Sequence, residues 1–476
     1  MMPPLASQQN VSPTASVEVQ PTLVRGLSLL DSVLLLAGGI IGSGIFLTAG
    51  QIADQVRRPG LFLLVWVAGG IISLLACFAF AELGSMFPSA GGQYVYLREA
   101  YGEFWAFLYG WMNFAVSGAG TIAALAVGFA QYFGTLVPAF SPHRAYIRIA
   151  GWTLHGADIA AVTAIALLTI INVFGVRRAA VLQNIATFLK FAAIAAFVGL
   201  GFIIGKGSWG NFTTPAPANA AISPFAAFGV ALIAVFWAYD GWVYITWVAG
   251  EVKDPRKNVP RALIIGVLLV GAIYIALNAV YVYALPISRI AGETTIAQAA
   301  AVKLFSPAAA KWLAAMIAVS CFGALTSAIL CYARVYYAMA MDGAFFRRMA
   351  YVHPRHRTPS FSLIVQGIWS AVLALSGTYD QLFTYVVFMM VLSYAATVVG
   401  LFVLRRKRPD APRPYRCAGY PWLPALYVLF GVAWALNAAV ERPKEALAGF
   451  LIVLIGIPGY LYWRRTNRNT STVVPE

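Results

Sequence analysis

The chain has 476 residues, 61% of them hydrophobic and only 11% charged, with a formal net charge of +16. Soluble domains carry roughly 25% charged residues, so this chain has too few charges to cover a water-facing surface, and soluble β-rich and α/β classes are poor starting points. Only helices and closed barrels satisfy the backbone in hydrocarbon, and apolar runs this long, without alternation, favour an all-α integral membrane protein over a barrel.

Residues 1–24 are polar and dotted with prolines. They lack the basic start and apolar stretch of a signal peptide and read as a disordered cytoplasmic tail. Apolar segments able to cross ~30 Å of hydrocarbon follow near 28–53, 60–87, 104–137, 157–175, 183–205, 222–247, 262–285, 312–340, 361–377, 382–404, 420–440 and 446–463, which predicts 12 transmembrane helices.

The first span carries four glycines, Gly38, Gly39, Gly42 and Gly44, each weakening a helix by ~1 kcal/mol relative to alanine. Two readings stand. One is close packing of helices through small residues. The other is a helix broken at Gly42-Ser43-Gly44, whose freed N–H groups suit a carboxylate and whose freed carbonyls suit an ammonium. The second span ends near Glu82, a gate or a helix-end residue. The fifth carries Lys190, which either serves carbonyls or a proton as a buried amine or snorkels to the interface.

The sixth span contains Phe236-Trp237-Ala238-Tyr239-Asp240-Gly241-Trp242. An ionisable group inside a membrane is functional by default; its structural alternative is pairing to a neighbouring helix. Two interrupted spans, five apart, are the sequence pointer to an inverted-repeat transporter with a midplane site. The run Glu251-Val252-Lys253-Asp254-Pro255 reads as a helix end and turn. Arg405-Arg406-Lys407-Arg408 closes the tenth span, either as a stop at the inner interface or as a lipid-headgroup patch. His143, His155, His353 and His356 fall in loops without ligand spacing, the four cysteines are scattered, and there is no Walker A motif. No metal, no cofactor and no ATP-driven chemistry is expected. Counting alternate sides puts 22 of the 33 Lys and Arg on one side and 10 on the other, and leaves only Lys190 unassigned. The positive-inside rule then places both termini in the cytoplasm and accounts for the net charge without nucleic acid.

Gly39-Ile40-Ile41-Gly42-Ser43-Gly44-Ile45-Phe46 resembles the first-span signature of the amino acid–polyamine–organocation superfamily. Ala81-Glu82-Leu83-Gly84 with Pro88-Ser89-Ala90-Gly91-Gly92-Gln93-Tyr94 resembles the superfamily's second span and following loop, and Phe236–Trp242 followed by Glu251–Ala262 is similar to its L-type amino acid transporter branch, in a prokaryotic form. The resemblance runs from about 25 to 465. It implies a LeuT-type fold with 5+5 inverted repeats, the first over 25–205 and the second over 206–408, with two further spans over 409–465 and a cytoplasmic tail from 466 to 476. It also implies secondary-active, sodium-independent exchange of L-amino acids across the plasma membrane. The substrate carboxylate would meet amides at Gly42, Ser43 and Gly44, and the amino group carbonyls at Ile40 and Trp237. Ile41, Ala238, Tyr239 and Asp240 complete the candidate substrate-binding set, with Trp237 as an aromatic gate. Lys190 falls where sodium-coupled relatives hold a sodium ion, with Ser320 beside it, as coupling and gating residues.

Departures from the family pattern leave points open. Residues 138–156 lack the cysteine that eukaryotic members use to bind a heavy chain, so no disulfide-linked heavy chain is expected; the partners are the amino acid and membrane lipid. Asp240 hints at a cationic substrate side chain, whereas Phe388-Met389-Met390, expected near the pocket wall, hints at an apolar one. Rival readings are a proton-coupled symporter on the same fold, a non-transporting amino acid sensor, and a membrane-embedded enzyme, for which no acid/base or metal cluster is visible.

Overall fold

The computed structural model describes residues 23–149, 152–217, 223–376, 379–441 and 443–471. Nearly all of the expected N-terminal tail lies outside them. The helices in chain order are α1 (Leu29–Ile40), α2 (Gly44–Leu47), α3 (Ala49–Val56), α4 (Pro59–Met86), α5 (Gln93–Tyr101), α6 (Glu103–Met112) and α7 (Gly118–Leu136). A hairpin of β1 (Ala145–Ile149) and β2 (Trp152–His155) comes next, then α8 (Gly156–Val173), α9 (Val176–Ile203), α10 (Pro224–Tyr239), α11 (Tyr244–Trp247) and α12 (Pro255–Ala284). The rest are α13 (Ile287–Ile290), α14 (Ile296–Leu304), α15 (Pro307–Met341), α16 (Ser360–Ser376), α17 (Tyr379–Lys407), α18 (Trp422–Glu441) and α19 (Pro443–Ser471).

Among the described residues, eight helical segments are long and apolar enough to cross a bilayer, and α10, α16 and the stretch 422–436 of α18 are shorter apolar helices. These cover eleven of the twelve expected spans. The twelfth falls in α19, which continues as helix through Ser471, so the tail expected from 466 begins as helix. The all-α expectation missed the hairpin. Tyr146, Ile147 and Ile149 are β-forming residues, and β1 is exposed along its whole length. Ile147 pairs with Leu154 and Ile149 with Trp152, while the Trp152 indole donates to the Leu375 carbonyl at 3.1 Å, fastening the hairpin to α16.

Three of the spans are not plain α-helix. The first breaks between α1 and α2, the sixth between α10 and α11, and the third contains a π-turn over Asn113–Ser117, a local widening that recurs at functional sites. Two groups of helices pack among themselves: α12 lies along α4 and α1, and α15 along α7, with α16 on α8 and α7. Helix α9 touches α1, α12 and α15, and α17 touches α7, α5 and α18.

Ion pairs tie the loop-side ends of these groups together. Glu82, fully buried, accepts from Arg405 Nε at 3.0 Å and Nη2 at 2.5 Å, from Arg413 Nε at 3.1 Å and from the Cys417 amide at 2.7 Å. This carboxylate is thus the anchor of the 411–421 loop. Burial pushes the Cys417 thiol up to about 12, which leaves it protonated and unreactive at neutral pH. Glu251 forms a second buried pair: Arg334 meets it at 2.7 and 3.2 Å and spends a third donor on the Leu330 carbonyl at 2.8 Å. The helix-end run from Glu251 also pairs with the segment before α1, through Leu27 N–H to Glu251 O at 3.0 Å and Lys253 N–H to Leu27 O at 2.8 Å.

Candidate functional site

A broken helix exposes polar backbone groups that each need a partner when buried. Helix α1 ends at Ile40, and α2 begins again at Gly44 with Ser43 as its N-cap. The carbonyls freed at this break are taken by side chains from three other helices. Lys190 Nζ donates to Gly38 O at 2.9 Å and also to Ile41 O. Ser320 Oγ donates to the same Ile41 O at 2.9 Å. Tyr274 OH lies 3.0 Å from Ile40 O and 2.7 Å from Ala238 O, and so joins the first break to the sixth span. Lys190 is 1% exposed, which excludes snorkelling. It reaches Ser320 only through their shared acceptor.

The two breaks lie against each other. Gly241 has φ +108°, and a Cβ on it would stand 2.9 Å from Gly39 C and 3.0 Å from Ile40 N. Both facts demand glycine. A Cβ on Gly44 would stand 2.7 Å from Ala238 Cα and 3.2 Å from Trp237 Cδ1. Trp237 therefore packs on the amide end of the first break, and its own carbonyl accepts the Asp240 amide at 3.1 Å. On the third span, Gly128 makes room for Ser43, whose Cβ would be 2.7 Å from a Cβ there. Tyr239 turns away from the breaks, donating to Trp66 O at 3.0 Å; its ring meets those of Trp66 and Tyr274 at 6.4 and 5.0 Å.

Asp240 caps α10 and is 7% exposed. Tyr394 OH donates to its Oδ1 at 2.6 Å. Among the described residues no Lys, Arg or His stands within ion-pair distance of it. Beside this pair Gln93 accepts from Tyr109 OH at 3.0 Å and donates to Thr397 Oγ1 at 3.0 Å, and Asn113 and Ser117 of the π-turn border the same small space. Met390 borders it too. Phe388 and Met389 do not: they line a neighbouring apolar cavity of about 520 Å³ between α5, α6, α17 and α19. The tenth-span trio is thus split between two surfaces, as a helix turning 100° per residue requires.

The spaces against the candidate residues are tight. The one lined by Lys190, Ser320, Phe46 and Tyr281 and the one beside Tyr394 hold about 10 Å³ each, room for about one water molecule. Neither space admits a ligand larger than water unless the helices around it separate.

Sequence reading missed Tyr274, Tyr394 and Gly128. Each is an ordinary residue within its own helix, and only its contact with a distant break sets it apart. No group of three His, Cys, Asp or Glu residues gathers into a metal site among the described residues.

The amino acid permease family matches residues 27–458, nearly the whole chain. The chain belongs to this family. It is a multi-pass membrane permease of the amino acid–polyamine–organocation superfamily, a transporter rather than an enzyme. It is 32% identical to the serine/threonine exchanger of Bacillus subtilis, over 94% of this chain and 98% of that protein. It is 28% identical to the human b(0,+)-type amino acid transporter 1, over 92% and 88% of the two chains. It is 30% identical to the human large neutral amino acids transporter small subunit 2, over 93% and 81%.

Proposed function

We propose that this permease exchanges L-amino acids across the plasma membrane, without sodium, by alternating access, with both termini in the cytoplasm. The observation that carries the reading is the facing pair of broken spans, with Lys190 seated on the carbonyls of the first. An α-amino acid presents a carboxylate and an ammonium a fixed distance apart, and in the proposal these exchange for contacts the two breaks now make with the protein: amides around Gly42, Ser43 and Gly44, of which Gly42 N–H meets Ile40 O at 2.8 Å, and carbonyls at Ile40 and Trp237, of which Trp237 O accepts the Asp240 amide at 3.1 Å. Neither end of the substrate then needs a charged side chain. Lys190 occupies the carbonyl cluster that a sodium ion would need, and two cations at that spacing repel strongly in a low-dielectric site. The exchange activity named for the Bacillus subtilis relative supports the same reading.

The 5+5 inverted repeat is part of the proposal. Spans one, two, six and seven (α1–α3, α4, α10–α11 and α12) form one packed group, and spans three, four, eight and nine (α6–α7, α8, α15 and α16) the other. Every member has its counterpart five spans away in its own group, so each group draws on both repeats, the arrangement in which an inverted repeat yields two bundles that can rock against each other. The first repeat covers 25–205, the second 206–408, and the last two spans are appended. The connection between spans three and four has no cysteine, so we propose no disulfide-linked heavy chain.

Purified protein in liposomes tests the coupling. Uptake that depends on internal amino acid and ignores sodium is expected. Uptake into empty vesicles driven by an acid-outside gradient would replace this reading with the proton-coupled one, and binding without flux would make the chain a sensor.

Lys190→Ala leaves Gly38 O without its partner while Ser320 still holds Ile41 O. Exchange flux is expected to fall by about tenfold or more, equivalent to ~1.4 kcal/mol on the barrier, with substrate affinity changed far less. A matching loss of affinity, measured by ligand-induced thermal shift, counts against a gating role.

Asp240 is the group expected to separate cationic from neutral substrates. Asp240→Asn keeps an acceptor for Tyr394 but removes the charge. Lysine and arginine uptake should drop by about tenfold or more, since losing one partner of a buried charge pair costs ~2–5 kcal/mol, while serine, threonine and leucine uptake are spared. Equal effects on both classes would assign Asp240 to structure alone.

A further inference from the structure

The cation run that closes the tenth span is divided by the structure into two uses. Three members are committed to the protein: Arg405 to Glu82 and over the Tyr420 ring, Lys407 to the Ala100 carbonyl at 2.9 Å, and Arg408 to Glu99 at 2.7 Å. Arg406 is exposed and has no hydrogen-bond or ion-pair partner among the described residues.

Arg406 stands at the end of an apolar groove. On α17 the groove wall is Val399, Phe402, Val403 and then Arg406, the spacing of a single helix face. The opposite wall is Ala425, Val428, Leu429 and Val432 of α18, at the same spacing. The groove holds about 540 Å³. It is open on its outer side, where Leu429 is 66% and Val432 48% exposed. Both walls belong to segments apolar enough to lie in the membrane, so the outer side meets lipid tails. Trp422, 78% exposed at the start of α18, is an interfacial anchor on the same side as Arg406. An aliphatic trough thus ends, at headgroup depth, in one uncommitted guanidinium. That is the group best shaped to grip a phosphate with two parallel hydrogen bonds.

We propose that the α17–α18 groove is a binding site for one anionic phospholipid, with an acyl chain along Val403, Val428 and Leu429 and the phosphate on Arg406. Its placement in the inner leaflet rests on the proposed orientation; the site itself does not.

Native mass spectrometry of the full chain tests the proposal, with the detergent-purified protein equilibrated in equal amounts of phosphatidylglycerol and phosphatidylcholine. Both lipids reach every surface in that mixture, so sidedness does not enter the result. The wild type should retain one phosphatidylglycerol with a preference of about fivefold, the factor expected for one cation near an anionic headgroup. Arg406→Gln should bring the preference close to unity. Arg464→Gln, which removes an exposed cation just past the twelfth expected span, should leave it intact. Leu429→Trp, which fills the trough, should lower retention of both lipids. The proposal is overturned if Arg406→Gln keeps the preference or if Arg464→Gln loses it equally. A dimer that excludes lipid, and that Leu429→Trp breaks, would assign the groove to a second copy of the chain.

Discussion

Gly44→Ala is expected to abolish uptake and substrate-induced stabilisation, although it adds a single methyl group. By helix propensity alone the change should help, by ~1 kcal/mol. Packing decides otherwise. The new Cβ would lie 2.7 Å from Ala238 Cα and 3.2 Å from both Ala238 Cβ and Trp237 Cδ1. The first of these is backbone, which cannot rotate aside, so the first break must move away from the sixth span. The amides proposed to hold the carboxylate then lose their register with the carbonyls proposed to hold the ammonium. Gly44→Val should do the same, and so should Ser43→Pro, which deletes an amide outright. Gly229→Ala is the matched control. It lies in α10 of the opposing span, and nothing stands within 4 Å of a Cβ there, so uptake should be unchanged. Normal uptake by Gly44→Ala would remove the first break from the site.

Much of this site was legible because it departs from what a membrane helix ordinarily contains. Four glycines in seven positions, an aspartate among aromatics and a mid-span lysine are each costly in hydrocarbon, and cost without evident return points to use. The carbonyl partners of Lys190 could not be read the same way. Gly38 and Ile41 lie 152 and 149 positions away along the chain, and the bonds are made by backbone, which no residue type marks. Tyr274 and Tyr394 stayed hidden for a related reason: a tyrosine in an apolar helix is commonplace, and only its hydroxyl's partner distinguishes it. The π-turn at Asn113–Ser117 is a matter of hydrogen-bond register rather than of composition. The hairpin at 145–155 escaped because it is too short to outweigh the helical pattern on either side. Phe388-Met389-Met390 shows the converse limit. Three adjacent residues on a helix face three directions, so a motif read as one unit along the sequence was split between two cavities.

The charged residues at the loop-side ends form a separate case, because family pattern located Glu251 while its partner came only from the fold. Arg334 sits in the eighth span, 83 positions away, and both side chains are essentially unexposed, at 1% and 0%. The pair joins the end of the sixth span, from one packed group, to α15 of the other. Arg334→Met is expected to destabilise the protein by ~3–5 kcal/mol, because it leaves a buried carboxylate without its counter-charge. Glu251→Gln alone should be similarly damaging through the stranded guanidinium. The double variant should recover most of the loss, since a neutral pair of similar volume carries no uncompensated charge. Thermal unfolding of the four proteins in one detergent gives the coupling directly as the non-additive part of the cycle. Additive losses would mean that the two side chains stabilise their own helices rather than each other. If the pair also has to part when the two groups rock, the double variant, once its stability is restored, should exchange amino acids at least as fast as the wild type. A stable double variant that cannot exchange would instead place this contact among those that stay closed throughout the cycle.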